Sequence, residues 1–269
     1  MKTYNKILSI AGSDSGGGAG IQADIKSISA NGGYASTAIT AITAQNTLGV
    51  NSIFPVSVPT IKDQIESVLS DIGADAIKIG MLHSSAVILA VVEVLEKYNC
   101  KNIVLDPVMV ATSGDLLLQE EAIESLKKFL IPKVKVITPN IPEAELLLGN
   151  KIKFNEMRES AALLAEKYKV SVILKAGHLD NEILQDVLYN FKSKKVSEFK
   201  NPKIKTKNTH GTGCSLSSAV ATYLGNGDPL EVATEKSINY VHEAIVAGAK
   251  YQLGGGNAPI HHFYKQKTK

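Results

Sequence analysis

Short β-rich runs and stretches of helical periodicity take turns along this chain, and no other feature limits its possible folds so strongly. The runs KILSIAGS (6–13), STAITAIT (36–43), DAIKIGM (75–81), KNIVLDPV (101–108), VKVITPN (134–140) and VSVILKAG (170–177) read as strands. Between the first two, IQADIKSISANGG places Ile21, Ile25 and Ile28 on one face and stops at glycine. Later, IKDQIESVLSDIG repeats Ile61, Ile65, Val68, Leu69 and Ile72. Strand–helix–strand units cross over in the right-handed sense, so the expected class is α/β: a three-layer α/β/α sandwich with a mainly parallel central sheet. ILQDVLYN and KKVSEFK look like a late antiparallel hairpin. No linker divides the chain and no repeat occurs, so residues 1–269 read as a single domain.

Charge narrows the partners. The 29 basic and 26 acidic residues are scattered, giving a formal +3, with Lys265, Lys267 and Lys269 as the one basic cluster. That pattern is no footprint for nucleic acid or a membrane, and no run of eighteen apolar residues occurs. A cytoplasmic protein is expected. Cys100 and Cys214 cannot make a disulfide framework and read as free thiols, Cys100 packing or lying idle after a helix. His83, His178, His261 and His262 show no zinc-ligand spacing, and the adjacent pair would face opposite ways if extended. No structural metal is expected.

In a doubly wound sheet ligands sit at the carboxyl ends of the strands, so residues just after strands carry the most weight. AGSDSGGGAGIQAD (11–24) is the first such place: its glycines let backbone approach a ligand, ahead of a helix N-terminus. It is neither of the familiar phosphate loops. A dinucleotide fingerprint from Gly16 would need glycine where Ile21 stands, and a P-loop from Gly12 would need lysine where Gly18 stands. Read alone, a tight turn fits it as well as a binding loop.

HGTGC (210–214) is the second place. The N–H groups of Gly211, Thr212, Gly213 and Cys214 can form an anion nest at the start of a helix carried by Leu216, Val220, Tyr223 and Leu224 and ended by Gly225 and Gly227. The helix tip should lower the thiol pKa of Cys214 below the free value of about 8.5. Packing is the bland role for such a cysteine, but flanking glycines favour function. His210 can touch a phosphate or orient the loop.

A third group is dispersed: Asp106 in LDPVM, Asn140 and Glu143 in TPNIPEAELL, and Lys175 in ILKAGH. Helix capping, a first-turn dipole contact and a solvated lysine account for them singly. Together, carboxylates, a lysine and an anion nest on one rim are what phosphoryl transfer needs, with magnesium held mainly through water.

ILSIAGSDSGGGAGIQADIKS, ITAQNTLGV, IKIGML, VLDPVM, ITPNIPEAELL, LKAGH, KNTHGTGC and APIHHF occur in that order from Ile7 to Phe263. In order and spacing the chain resembles the bacterial hydroxymethylpyrimidine/phosphomethylpyrimidine kinases of thiamin biosynthesis, within the ribokinase-like superfamily. The resemblance implies a homodimeric kinase using ATP and Mg2+, which phosphorylates 4-amino-5-hydroxymethyl-2-methylpyrimidine and then its monophosphate. By motif, Gly12, Asp24, Gln45, Met81 and Val108 line the pyrimidine pocket. Lys175, Thr212, Gly213 and Asn140 serve the nucleotide; Asp106 and Glu143 organise magnesium. Cys214 resembles the catalytic base, assisted by Gly211, Gly213 and Lys175.

Two departures stand out. Ser15 follows Asp14 where the family often has proline, and Ala176 replaces a common glycine. Two other functions compete: a pyridoxine/pyridoxal kinase of the same branch, against which Gln45 in TAQN speaks, and a non-catalytic pyrimidine- or nucleotide-binding protein. A reactive-cysteine hydrolase is weaker still, since no histidine has an evident orienting partner.

Overall fold

A computed structural model describes residues 2–109, 120–177 and 182–266, so His178, Lys267 and Lys269 lie outside the described residues. Nine strands form one sheet: β1 (Asn5–Asp14), β2 (Gly33–Asn46), β3 (Gly49–Pro55), β4 (Ala76–Ile79), β5 (Ile103–Leu105), β6 (Val136–Ile137), β7 (Ser171–Leu174), β8 (Ile183–Asn190) and β9 (Lys195–Pro202). Their order is β3-β2-β1-β4-β5-β6-β7-β8-β9. Pairings from β2 through β7 are parallel, while β3, β8 and β9 join antiparallel. The late hairpin is therefore present where the sequence put it.

The helices are α1 (Gly20–Ala30), α2 (Val58–Asp71), α3 (Ser85–Lys97), α4 (Glu120–Ser125, continued by π and 3-10 turns to Lys133), α5 (Ile141–Leu148), α6 (Met157–Tyr168), α7 (Thr212–Gly225) and α8 (Leu230–Gly248). Strand alternation sorts them into two layers. Leu8, Ile10, Ile77, Ile79, Leu105 and Leu174 pack with residues of α2, α3, α5 and α6. Ile7, Ala76, Val104, Val136 and Ile173 face the other way, onto Ile28 of α1, Val220 and Leu224 of α7 and Leu230 of α8. This is the three-layer sandwich, with both faces of the parallel strands buried. None of the described helices is long and apolar enough to cross a membrane.

Three local readings change. Ile25 is exposed, and the inward face of α1 is Ile21, Ala23, Asp24, Ser27 and Ile28. The later parallel strands end earlier than the β-rich runs: β5 stops at Leu105, ahead of Asp106, and β6 at Ile137, ahead of Asn140. Each chain thus leaves the ladder just before its polar residue, which places those side chains on the rim. β3 was not expected at all; every residue in it is exposed, and edge pairing with β2 holds it in place of burial.

Candidate active site

Two glycine loops meet at the rim. Gly211 caps α7 with φ of +78°, a conformation that favours glycine, and a Cβ there would collide with the carbonyl oxygen of Gly18. Thr212, Gly213 and Cys214 are the first three residues of α7, so their N–H groups have no acceptor within the helix, although Thr212 N–H reaches Thr209 O at 3.3 Å. The thiol of Cys214 accepts the N–H of Gly20, the first residue of α1. Two helix N-termini therefore converge on one sulfur.

Beneath them lies a residue that sequence reading passed over. Lys78 of β4 has no exposed side chain, and its Nζ stands 2.9 and 2.8 Å from the two carboxylate oxygens of Asp24, which is equally buried. Ser9 Oγ and Ser218 Oγ donate to the same carboxylate at 2.6 and 2.8 Å. Asp24 was expected to line the pyrimidine pocket; its oxygens are instead taken up below the site. The Lys78–Asp24 pair forms the floor under Cys214 and Asp106, and the carboxylates of Asp24 and Asp106 hold the lysine well above its usual range against the cost of burial.

The thiol expectation is overturned. Burial pushes Cys214 up to about 11, and the opposing pull of Lys78 and the Gly20 N–H is the smaller effect, with Asp24 and Asp106 adding to the rise. Cys214 keeps a partly open surface, but so much protein surrounds it that ionisation is disfavoured. Helix-tip charge alone was the wrong guide.

On the β5 to β7 side, Lys175 Nζ pairs with Asp106 Oδ1 at 2.8 Å, and Thr138 Oγ1 donates to the same oxygen at 2.8 Å. Lys175 is thus no solvated lysine. Despite burial, Lys175 and Lys78 hold Asp106 below the usual carboxylate range. Asn140 and Glu143 form a capping box at the start of α5, each accepting the other's backbone N–H at 2.9 Å, so the bland local roles are real. Burial nonetheless raises Glu143 to about 7, against the pull of Lys175. Asn140 also bridges to Lys175 through the backbone. A methyl placed on Gly213 would stand 3.3 Å from Lys175 Nζ and 3.4 Å from Asp106 Oδ2, so the α7 tip and this pair share one space.

Across the rim are the other expected residues. A Cβ on Gly12 would touch Met81 Cε at 3.1 Å, and Val108 lies in a tight turn whose N–H reaches Asp106 O at 2.8 Å. Gln45, near the end of β2, lies 3.4 Å from His210 Nε2. His210 meets Asp14 Oδ2 at 3.0 Å, and the same carboxylate takes the N–H groups of Gly16, Gly18 and Ala19 at 2.8 to 3.0 Å. Asp14, the second residue missed, stays below its usual range because these bonds outweigh its burial. An aspartate two residues ahead of three glycines (DSGGG, 14–18) is the signal that could have found it: a carboxylate folded back on its own loop's amides.

Other expectations find places outside this cluster. Cys100 is half-buried against the core, and burial raises its thiol. His262 is buried with Nε2 3.0 Å from Ser215 Oγ and is pushed down to about 4 by burial, while His261 sets its ring edge-on to Tyr251. A cleft of about 650 Å3 between residues 205–208 and 249–258 holds none of the chemistry-bearing side chains.

Among the described residues no three His, Cys, Asp or Glu side chains converge as a metal cage. Magnesium needs no cage, since it commonly keeps several waters and binds through one or two carboxylates and substrate phosphates. Asp106 and Glu143, hard oxygen donors beside the nest, suit that kind of binding.

Comparison with known proteins fits this geometry. The profile of the family described as phosphomethylpyrimidine kinase matches residues 14–261. A hydroxymethylpyrimidine/phosphomethylpyrimidine kinase from Rhizobium meliloti is 43% identical over 96% of this chain and 97% of its own length. The bifunctional thiamine biosynthesis protein ThiED of Geobacter sulfurreducens is 45% identical over 95% of the chain, which spans only 52% of that relative. Among solved structures, the phosphomethylpyrimidine kinase of Clostridium difficile aligns with a TM-score of 0.79 and 45% identity, covering 89% of this chain and 99% of that one. A pyridoxal kinase from Staphylococcus aureus, in complex with AMP-PCP and pyridoxal, gives 0.87 and 32% over 98% and 95%. These likenesses extend over nearly the whole chain, which belongs to the phosphomethylpyrimidine kinase family.

Proposed function

We propose that this kinase transfers the γ-phosphoryl group of ATP to the hydroxymethyl group of 4-amino-5-hydroxymethyl-2-methylpyrimidine, and then a second to the monophosphate. The observation that carries this reading is the closeness of the α7 tip to Lys175 and Asp106, within 3.3 to 3.4 Å of a methyl on Gly213. Free N–H groups, a lysine and carboxylates at one point suit a migrating phosphoryl group, whose transfer depends on positioning and charge neutralisation. Thr212, Gly213 and Lys175 hold the nucleotide phosphates, with Asn140 fixing the strand end beside Lys175. Magnesium, when bound, would neutralise phosphate charge, and Asp106 and Glu143 are the residues that would hold it, mainly through water.

Gly12, Met81, Gln45 and Val108 receive the ring, and Asp24 acts from below through Lys78. Cys214 is the proton acceptor in the first transfer. Its resting thiol is protonated at neutral pH, so only a small thiolate fraction is competent, and the proton leaves late in a loose transition state. The second acceptor is a phosphate oxygen already ionised near neutral pH, which needs no base.

A homodimer belongs to the same proposal. Ile42, Leu48, Val50, Ile53 and Phe54 are exposed on the β2–β3 hairpin, an unpaired apolar edge of the kind a second copy covers. A cytoplasmic setting is consistent with two free thiols. The likeness to pyridoxal kinases keeps pyridoxal as the second reading. Measuring ATP consumption with the aminopyrimidine alcohol and with pyridoxal tests the assignment: a higher kcat/KM for the aminopyrimidine is expected, and a clear preference for pyridoxal would overturn it.

A further inference from the structure

Between β2 and the α7 tip runs a chain of hydrogen bonds whose directions follow from counting protons. Thr43 Oγ1 lies 2.9 Å from Ser13 O and 3.1 Å from one end of the Gln45 side-chain amide. A carbonyl oxygen only accepts, so the single hydroxyl proton of Thr43 goes to Ser13. Thr43 Oγ1 can then only accept from Gln45, and the amide end facing it must be nitrogen. At the other end, His210 Nε2 lies 3.0 Å from Asp14 Oδ2 and 3.4 Å from Gln45. Asp14 is a carboxylate that also takes three backbone N–H groups, so it accepts, and His210 Nε2 carries the proton. That N–H is directed at Asp14, and a Gln45 nitrogen in front of it would set donor against donor, so the facing atom is oxygen, which can share the proton.

Both ends give the same answer: the amide nitrogen faces Thr43 and the oxygen faces His210. The two atoms are nearly equal in size, so protons and not shape decide between the orientations. Once Thr43 and His210 are served, Gln45 keeps one N–H and one oxygen lone pair for a ligand.

We propose that Thr43 and the Asp14–His210 pair are specificity-determining positioning residues: they lock the Gln45 amide in one orientation, so the site selects a heterocycle whose edge sets an amino donor beside a ring-nitrogen acceptor in one order. This rests on the placement of Gln45 in the ring pocket under the proposed function. The order matters because it fixes which way round the ring lies. His210 immediately precedes Gly211, and its Cδ2 packs on Gly18, where a Cβ would clash. The lock is therefore built into the loops that form the nest, and a ring bound in the opposite sense points its hydroxymethyl group away from Cys214. An amide freed from the lock rotates and accepts either polarity, including rings without the amino group, such as pyridoxal.

Thr43→Val removes the hydroxyl with little change of shape, and Thr43→Ser restores it. Steady-state kinetics with ATP and magnesium should show kcat/KM for the aminopyrimidine alcohol falling about tenfold in Thr43→Val, chiefly through KM, as loss of one hydrogen bond implies. Thr43→Ser should stay within about threefold of the unsubstituted protein, and pyridoxal turnover should change less than about threefold in either variant. His210→Ala should shift the ratio of the two substrates in the same direction. Equal losses on both substrates, no loss, or a serine variant as poor as the valine one would overturn the inference while leaving the proposed function in place. An unsubstituted protein that prefers pyridoxal would remove the proposed substrate, and this inference with it.

Discussion

On the proposed nucleotide side of the rim and on the floor beneath it, Lys175–Asp106 and Lys78–Asp24 are ion pairs at 2.8 Å with little or no exposed surface. On the proposed ring side, Gln45 and His210 are partly exposed, and the Asp14 carboxylate is held by His210 and three loop amides. The difference follows the task. Phosphate charge needs counter-charges that do not move, and burial among hydrogen bonds fixes them. A heterocycle edge needs donors and acceptors in a set order, which single protons decide. Breaking a buried pair leaves a bare charge in the interior and costs about 3–5 kcal/mol, whereas losing a neutral hydrogen bond costs about 1 kcal/mol.

The largest effect is expected at Lys78. Lys78→Met leaves Asp24 ionised and buried with only Ser9 and Ser218 as partners, and should destabilise the fold by about 3–5 kcal/mol in denaturant melts. Adding Asp24→Asn removes the bare charge and should recover much of that loss. A single variant as stable as the parent would mean that the floor of the site is not held by this pair, and the contrast between the two sides would fail.

Lys175→Ala comes next. It removes the cation beside the α7 tip, and both transfers should slow by about 100- to 1000-fold, since both use the same donor phosphates. Separate assays with the alcohol and the monophosphate check this. A loss confined to one substrate would place Lys175 with the acceptor and not the nucleotide.

Much of the scaffold beneath these sites was legible because periodicity reports burial. The β-rich runs KILSIAGS and VSVILKAG read as strands of a sheet between two helical layers, and the apolar stripe from Leu216 to Leu224 marked α7. β3 escaped because no core holds it; backbone pairing with β2 keeps it in place while Val50, Ile53 and Phe54 stay exposed. Lys78 escaped for a related reason. Pattern reading sees only a polar residue in DAIKIGM, and its partner Asp24 lies 54 residues away, inside a helix taken as amphipathic in the ordinary sense. At Cys214 one local influence, the helix tip, was legible, while the stronger one, burial under two loops, belongs to tertiary structure. The rim cluster of Asp106, Asn140, Glu143 and Lys175 was legible because each follows a strand, and parallel strands end on one side.

Cys214 lies between the two sides and separates their chemistry. Cys214→Ala should slow the first transfer by about 100-fold and the second by less than about threefold. The pH profiles should differ in the same way. With the thiol raised to about 11, the thiolate fraction grows throughout the range from neutral to mildly alkaline pH. The first transfer should therefore accelerate as pH rises from about 7 to 9 while the second stays flat. Parallel profiles, or equal losses in both steps, would show that the sulfur packs and does not take the proton.

The smallest effect concerns the ring side's carboxylate and sharpens the comparison from the acid end. Asp14 titrates below its ordinary value of 3.8 because His210 and the loop amides favour its charged form. A carboxylate lowered in this way stabilises the fold fully above its unfolded value, and that contribution is lost as pH falls through the lower, folded value. The melting temperature of the parent should thus exceed that of Asp14→Asn at pH 5 to 7, and the gap should narrow below about pH 4. A gap that stays constant down to about pH 3 would mean that His210 and the loop amides do not favour the charged form of Asp14, and the ordered carboxylate on the ring side would have no basis.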